Sequence, residues 1–391
     1  MTERFGILSP MAGGGDTMLS SVVEAIMRRL WTSCIVLAVA AGCDRGAVGF
    51  AQAPVEATRV LDIAGTGVNG ELVFEHAVAG TRLSDGSIVI ADGLGATVRF
   101  FDASGKLKLS VGRQGEGPGE FEGLAWLGQC GRDSVFAWDR MLYRITVIDA
   151  AGEVVRMYRV PADFQGWRLA TLSCSRTGIF AFLAFPQGMR PPSPTGESPH
   201  FKAPLSLADA TGKLTHSLGE VAVAESRPLG KATSIAVSAD RLYVGTKDSA
   251  FVDMYDLDGQ RIRSLPVQVP LRAPTMRHYE RAIDRQVAWL AVVEEREQMR
   301  QVLLDIPMPE YAPPYGMLFT DPGGILWIET SILGDPMTTL RAIDTDGHVI
   351  VEVILPPELR VFEVGRDYIL ATFEEEGGEP HVAMYRMNQS R

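Results

Sequence analysis

The chain has 391 residues, 46% of them hydrophobic and 22% charged, so it carries enough apolar material for a large core and is not a disordered chain. Its net charge of -11 excludes the broad basic surface that neutralises phosphates, and nucleic acid is not an expected partner.

In chain order, the first feature is Met27, Arg28 and Arg29 followed by LWTSCIVLAVAAGC, a basic start before roughly a dozen apolar or small residues. Such a run is too short to span a bilayer and has the form of an export signal. Its ending, AAGC, resembles a bacterial lipobox in which Cys43 becomes the lipidated N-terminus. Ordinary cleavage after Ala51-Gln52-Ala53 and an uncleaved anchor are the alternatives; all three put the folded part outside the cytoplasm. The expectation is therefore an extracytoplasmic lipoprotein, periplasmic or on the cell surface, that touches membrane only through its lipid anchor. Residues 1–26 lack signal character, so translation is expected to begin at Met18 or Met27. Residues 1–53 read as a leader, with a signal at 27–42 and a short linker, and residues 54–391 as the folded domain.

That domain repeats. FFDASGK at 100–106 returns as VIDAAGE, SLADATGK, MYDLDGQ and AIDTDGH, each an apolar strand end, an Asp, two residues and a Gly. The aspartates Asp102, Asp149, Asp209, Asp256 and Asp344 lie 47, 60, 47 and 88 residues apart, so a unit near 47 recurs with insertions. A period of this size built from short strands points to a propeller. The first unit divides into four strands joined by tight turns with Gly where positive φ is needed. Five such units are legible, and a sixth has only three strands, which the segment TRVLDIAG at 58–65 completes. The predicted fold is all-β: a six-bladed β-propeller of four-stranded antiparallel blades, closed by the N-terminal strand in the last blade, with one helical insertion between blades four and five. Closure leaves no exposed sheet edge, and a monomer is expected.

GRQGEGPGEF at 112–121 then reads as a connector from the outer strand of one blade to the inner strand of the next. A phosphate cradle would need a helix after the glycines, and none is predicted here or after Gly65, Gly67 and Gly70, which match G-x-G-x-x-G by spacing alone. The insertions at 185–204, proline-rich, and 274–310, helical, leave on the same face as this connector. Tyr279, Ala282, Ile283, Gln286 and Leu290 mark the helix, which either packs over the ring mouth or docks a partner.

With these units, the D-x-x-G hairpins and the connector Gly112 to Phe121, the chain resembles bacterial exported six-bladed β-propeller proteins related to NHL repeats, over about residues 55–388. The resemblance implies the fold; its relatives include binding scaffolds, gluconolactonase-type metal hydrolases and amidating lyases, so it does not select an activity.

Nucleophile motifs are absent and the six histidines lack metal-ligand spacing. Acids end the second strand of three units: Asp92, Asp139 and Glu329. They either share a hard cation, for which calcium is the candidate, or bond backbone amides and the nearby Arg99 and Arg144. Asparagine partners for a lactonase-type metal site are lacking, since Asn69 and Asn388 are the only asparagines. Arg113, Glu116 and Glu120 of the connector, with Arg99 and Arg144, are candidate ligand contacts at the mouth. Cys130 and Cys174 stand at matching points of adjacent units; a disulfide is open to them only if their Cα atoms approach within about 7 Å. The functional expectation is a non-catalytic binding or scaffold module for a protein, peptide or glycan, without a resident cofactor; the alternative is a metal-dependent hydrolase or lyase with an acidic site in the channel.

Overall fold

The structure, a computed structural model, describes residues 53–67, 73–131, 133–159, 167–186, 202–222, 225, 227–288, 290, 292–375 and 378–388. The leader, Cys43, the second and third glycines' neighbours at 68–72, and most of the proline-rich insertion lie outside these residues. Residues 50–391 form one compact unit.

A first strand, β1 (Val55–Ala64), is followed by four antiparallel sheets. They are β2–β5 (Ala77–Arg82, Ile88–Asp92, Thr97–Phe101, Leu107–Val111) and β6–β9 (Leu124–Gln129, Val135–Asp139, Arg144–Ile148, Val154–Arg159). Next come β10–β13 (Trp167–Cys174, Phe180–Pro186, Lys202–Ala208, Leu214–Ala222) and β14–β17 (Ser234–Val237, Leu242–Gly245, Phe251–Tyr255, Arg261–Pro266). Two helices intervene, α1 (Met276–Val287) and α2 (Val293–Leu304). The remaining strands are β18–β21 (Leu318–Thr320, Leu326–Glu329, Thr338–Ile343, Val349–Leu355) and β22–β24 (Arg360–Val364, Tyr368–Glu374, Pro380–Met387).

Two expectations are corrected here. Six separate four-stranded blades are not what the strands form: four sheets have four strands, but the rest make one eight-stranded sheet ordered β18-β19-β20-β21-β1-β24-β23-β22. The cause lies in β1, whose ten residues exceed what one edge requires. Ala57 to Ala64 run antiparallel to β24, while Val55 and Glu56 pair in parallel with Val353 and Ile354 of β21, so the strand bonds to neighbours on both sides. The halves of this sheet face each other across Leu340, Val353, Ile369 and Ala383. Likewise the insertion at 274–310 holds two helices rather than one; extended backbone at Val292 separates them.

The hairpins show why D-x-x-G recurs. In the first, the Asp102 carboxylate accepts the N–H groups of Ser104 and Lys106 while Gly105 donates to the Asp102 carbonyl. Gly105 takes φ 86°, and the extra residue shifts the register between Phe100 and Phe101. This is a type I turn closed by a glycine bulge, where a side chain at the glycine would be strained. The same bonds recur at Asp149, Asp209, Asp256 and Asp344.

Within a sheet, burial falls from the middle to the rim: β3 and β7 are buried at every position, whereas β5 and β9 are largely open. The inner strands β2, β6, β10, β14, β18 and β22 touch in succession, and β22 returns to β2. The neighbours β14 and β18 run in one direction, since Leu318 donates to Ser234 Oγ at the strand starts and Thr320 to the Val237 carbonyl at the ends, and each inner strand opens its own antiparallel sheet in the same chain order. The first residues of the inner strands therefore share one face of the ring.

Cys130 and Cys174 are bonded across adjacent sheets with Cα atoms 5.5 Å apart. The bond spans 44 residues, for which loss of chain entropy in the unfolded state corresponds to about 4 kcal/mol. Replacing both by alanine is expected to lower the unfolding free energy by up to that amount in urea titrations. The native protein under reductant should match the variant, and equal stability of all three samples would refute a stabilising cross-link.

Candidate functional site

Two of the strand-end acids, Asp92 and Asp139, are fully buried, and their hydrogen bonds reveal their work. Asp92 accepts the N–H groups of Glu75 (3.2 Å), His76 (3.0 Å) and Gly95 (3.1 Å), and Arg99 Nη2 lies 3.4 Å away. Asp139 accepts those of Glu122 (2.7 Å), Gly123 (3.1 Å), Met141 (2.9 Å) and Leu142 (2.9 Å). Each carboxylate thus ties the chain entering an inner strand to the loop that leaves the second strand. Four donors occupy each carboxylate's acceptor sites, so a cation at Asp92 or Asp139 would have to displace backbone amides that have no other partner. These two positions do not fit a calcium site.

The connector residues are likewise turned toward one another. Arg113 binds Glu120 at 2.8 and 2.6 Å while remaining exposed, and the second Glu120 oxygen accepts the Gly117 N–H at 2.7 Å. Arg144 donates to the carbonyls of Glu116 (3.0 Å), Gly117 (3.1 Å) and Glu120 (2.5 Å). Gly115 and Gly117 leave room for the Glu120 carboxylate, which an added Cβ would approach within 2.3 and 2.7 Å. Arg99 serves Asp92 and Thr97. Arg99, Arg113, Glu120 and Arg144 thus have partners within the loop and its blade, and Glu116 joins them through its backbone carbonyl.

Glu329 is different. It ends β19 on the same face, half-buried, with the Met317 N–H at 3.1 Å from Oε2. Gly316 makes the space, since a Cβ there would fall 2.3 Å from the carboxylate. Burial pushes the Glu329 carboxyl above its ordinary value, against the Met317 hydrogen bond and the cations Arg285 and Lys247. Lys247, in the loop after β15, is only 7% exposed and takes φ 63°. Its backbone N–H donates to the Tyr315 hydroxyl at 3.3 Å, and Tyr315 packs against Gly245, where a Cβ would lie 2.7 Å from the hydroxyl. The three consecutive residues 315–317 thus seat both Lys247 and Glu329. Burial draws the Lys247 ammonium down to about 8, with Glu329 opposing.

Two more basic groups stand at the starts of β22 and β2. Arg360 opens β22 as an exposed side chain, and neighbouring protein first and Arg285 second hold its guanidinium below the ordinary value. His76, just ahead of β2 and beside β22 in the ring, is held low by burial and by Arg360, with Asp92 and Glu374 acting oppositely. Helix α1 reaches the same place through two clamps. Its capping residue His278 contacts Asp335 at 3.2 Å, which also binds Arg272 at 2.7 Å, and Arg281 binds Glu358 at 2.9 Å. A shallow cleft lined by Glu329, Ser331, Ile332, Asp335, Thr338 and Glu358 opens beside it.

Of the sequence candidates only Glu329 belongs to this group. Lys247, Arg285, Arg360 and His76 were missed because they carry no motif; the one local signal was the series His278, Arg281, Arg285 at helical spacing. A separate acidic triad, Asp344, Asp346 and His348, lies within 4.8 Å on an outer hairpin, where Asp344 is occupied with the turn's own amides. Among the described residues no helix is long and apolar enough to cross a membrane.

No protein-family model matches the chain, and no curated protein sequence does either. Solved structures do match. A Bacteroides fragilis protein named for inferred export is 11% identical, with 86% of this chain and 95% of that one covered at a TM-score of 0.51. The calcium-binding protein regucalcin of Agrobacterium tumefaciens (12%, 86% and 98% covered, 0.43) and a gluconolactonase of Xanthomonas campestris (12%, 86% and 99%, 0.44) also align. At such identity the likeness extends to the propeller arrangement alone.

Lys247 yields a stability test. Between about 8 and its ordinary value of 10.5, the unfolded chain binds more protons than the folded one, so stability gained from this group rises with pH across that window. Below it the penalty is complete, about 3 kcal/mol. Lys247→Met should therefore stabilise the protein at pH 7 by a sizeable part of that amount. The advantage should vanish above pH 10.5, as read by denaturant titrations at several pH values; a pH-independent difference would contradict the burial.

Proposed function

We propose that this chain is an exported, lipid-anchored propeller, NHL-like in its repeats, whose ring mouth on the elaborated face is a non-catalytic binding site for a protein, peptide or glycan. The observation that carries the reading is the burial of Lys247 beside the 315–317 segment that also seats Glu329, on the face where Asp335 and Glu358 clamp α1. A charge withdrawn from water, as at Lys247, opposes folding, and a site that binds something is a usual reason for keeping it. The Cys130–Cys174 bond supports export, because such bonds persist in oxidising compartments. The hydrolase or lyase alternative is not favoured, since Asp92 and Asp139 are committed to backbone amides.

Two experiments test this. In the full chain expressed in a bacterium, Cys43→Ser should move the protein from the membrane fraction to the soluble extracytoplasmic one; unchanged membrane retention would count against lipid anchoring. Ligand-observed NMR with a panel of neutral and acidic glycans and peptides should find a class that binds the native protein and is weakened by Arg285→Glu. A panel without binders, or a bound member converted to product, would overturn the reading.

A further inference from the structure

The turn between β23 and β24 copies the D-x-x-G hairpin with one change of residue. Glu375 donates its N–H to the Glu379 carbonyl at 2.9 Å, Gly378 donates to the Glu375 carbonyl at 2.9 Å, and Gly378 takes φ 84°. These are the backbone bonds that close the hairpins at Asp102, Asp149, Asp209, Asp256 and Asp344, with a glutamate where those have aspartate. In the aspartate hairpins the carboxylate is spent on the turn's own amides. The longer Glu375 side chain accepts no amide among the described residues, and its Oε1 lies instead 3.8 Å from Nε2 of His381.

His381 presents that nitrogen by construction. It stands in β24, only 7% exposed, opposite Phe373 of β23 and Ala64 of β1. Its Nδ1 is 2.8 Å from Asp62 Oδ1, while Arg59 holds Asp62 Oδ2 at 2.9 Å. A carboxylate only accepts, so in the neutral ring Nδ1 carries the proton and Nε2 offers a lone pair. The Phe373 ring stacks on the imidazole at 5.1 Å and fixes its plane. Nε2 itself is buried and has no hydrogen-bond partner among the described residues.

Two acceptors thus face each other, one of them withdrawn from water, and an unpaired buried acceptor opposes folding. A hydrogen bond does not account for the spacing, because 3.8 Å is beyond its reach. A metal ion does: bonds of about 2.0–2.2 Å to an imidazole nitrogen and to a carboxylate oxygen cover that separation at a bent angle. Asp62 on Nδ1 is the outer carboxylate that orients a metal-binding imidazole and raises its basicity.

We infer that His381 Nε2 and the Glu375 carboxylate form a site for a divalent transition-metal ion, with zinc the leading candidate, on the sheet that closes the ring. An imidazole paired with a carboxylate suits such ions better than calcium or magnesium, which take oxygen ligands. Glu375 supplies one or both oxygens and water the remaining positions, so the ion exchanges with solvent. Through Asp62 it ties β1 to β24 and to the end of β23. The site does not depend on the binding function proposed above.

The test is calorimetric titration of the metal-stripped native protein with zinc chloride in a non-chelating buffer, with thermal unfolding followed in parallel. Saturable binding is expected, together with an unfolding midpoint that rises with zinc. Glu375→Gln, at an exposed turn position where the fold should be unaffected, should weaken binding at least about tenfold, and so should Asp62→Asn. His381→Gln should abolish both binding and the midpoint shift. The hairpin triad is the competing site, so Asp346→Asn should change neither. Absence of saturable zinc binding, or equal affinity in the native, Glu375→Gln and His381→Gln proteins, overturns the inference. Loss of binding in Asp346→Asn alone assigns the ion to the hairpin and overturns it as well.

Discussion

A ring of sheets lasts only if its two chain ends are joined, and here one strand performs the joining. β1 lies between β21 and β24, antiparallel to one and parallel to the other, so backbone groups that would form open edges are paired. An unpaired edge invites pairing with other molecules, and circular arrangements avoid that by closure. Everything on the elaborated face depends on this step. His76 and Arg360 begin strands on opposite sides of the junction between β2 and β22, and they face the same opening only because the ring is shut.

Inside that frame, acids are used for two different purposes. Asp92 and Asp139 sit where local chain geometry directs four donors at each, so their charge is spread over amides and fixes the path into an inner strand. Glu329 occupies the corresponding place in its own sheet but receives the single Met317 amide and stands against cations. Similar residues at similar points in a repeat thus differ in their surroundings by how many backbone donors the adjoining loop offers. The connector follows the architectural pattern, with Glu120 and Arg144 each satisfying groups of the loop's own backbone.

The helical insertion contributes a row of basic residues rather than an apolar lid. Its apolar face, with Tyr279, Ile283 and Val287, packs on Leu303 and Ile306, and the Tyr279 hydroxyl donates to the Ile306 carbonyl at 2.5 Å. Leu229, from the loop ahead of β14, packs against the same cluster and joins the helices to the ring. The opposite side supplies His278 and Arg281 as anchors, with Arg285 exposed one turn further on.

Much of this was legible in the chain itself. Repeated D-x-x-G turns follow from chemistry within five residues, and alternating apolar runs mark the strands, so propeller architecture could be read without coordinates. Acids at Asp92, Asp139 and Glu329 were visible as a pattern, and so were the matched cysteines. What became of them depended on distances between residues far apart in sequence: whether amides or cations would surround each carboxylate, and whether Cys130 and Cys174 would approach to 5.5 Å. The parallel pairing of Val55 and Glu56 with β21 spans about three hundred residues and leaves no local trace. Lys247 looks like any loop lysine until Tyr315 and Gly245 enclose it. Turn chemistry and strand periodicity are short-range properties and belong to the sequence; burial, charge proximity and the merging of two sheets arise only when the ring closes.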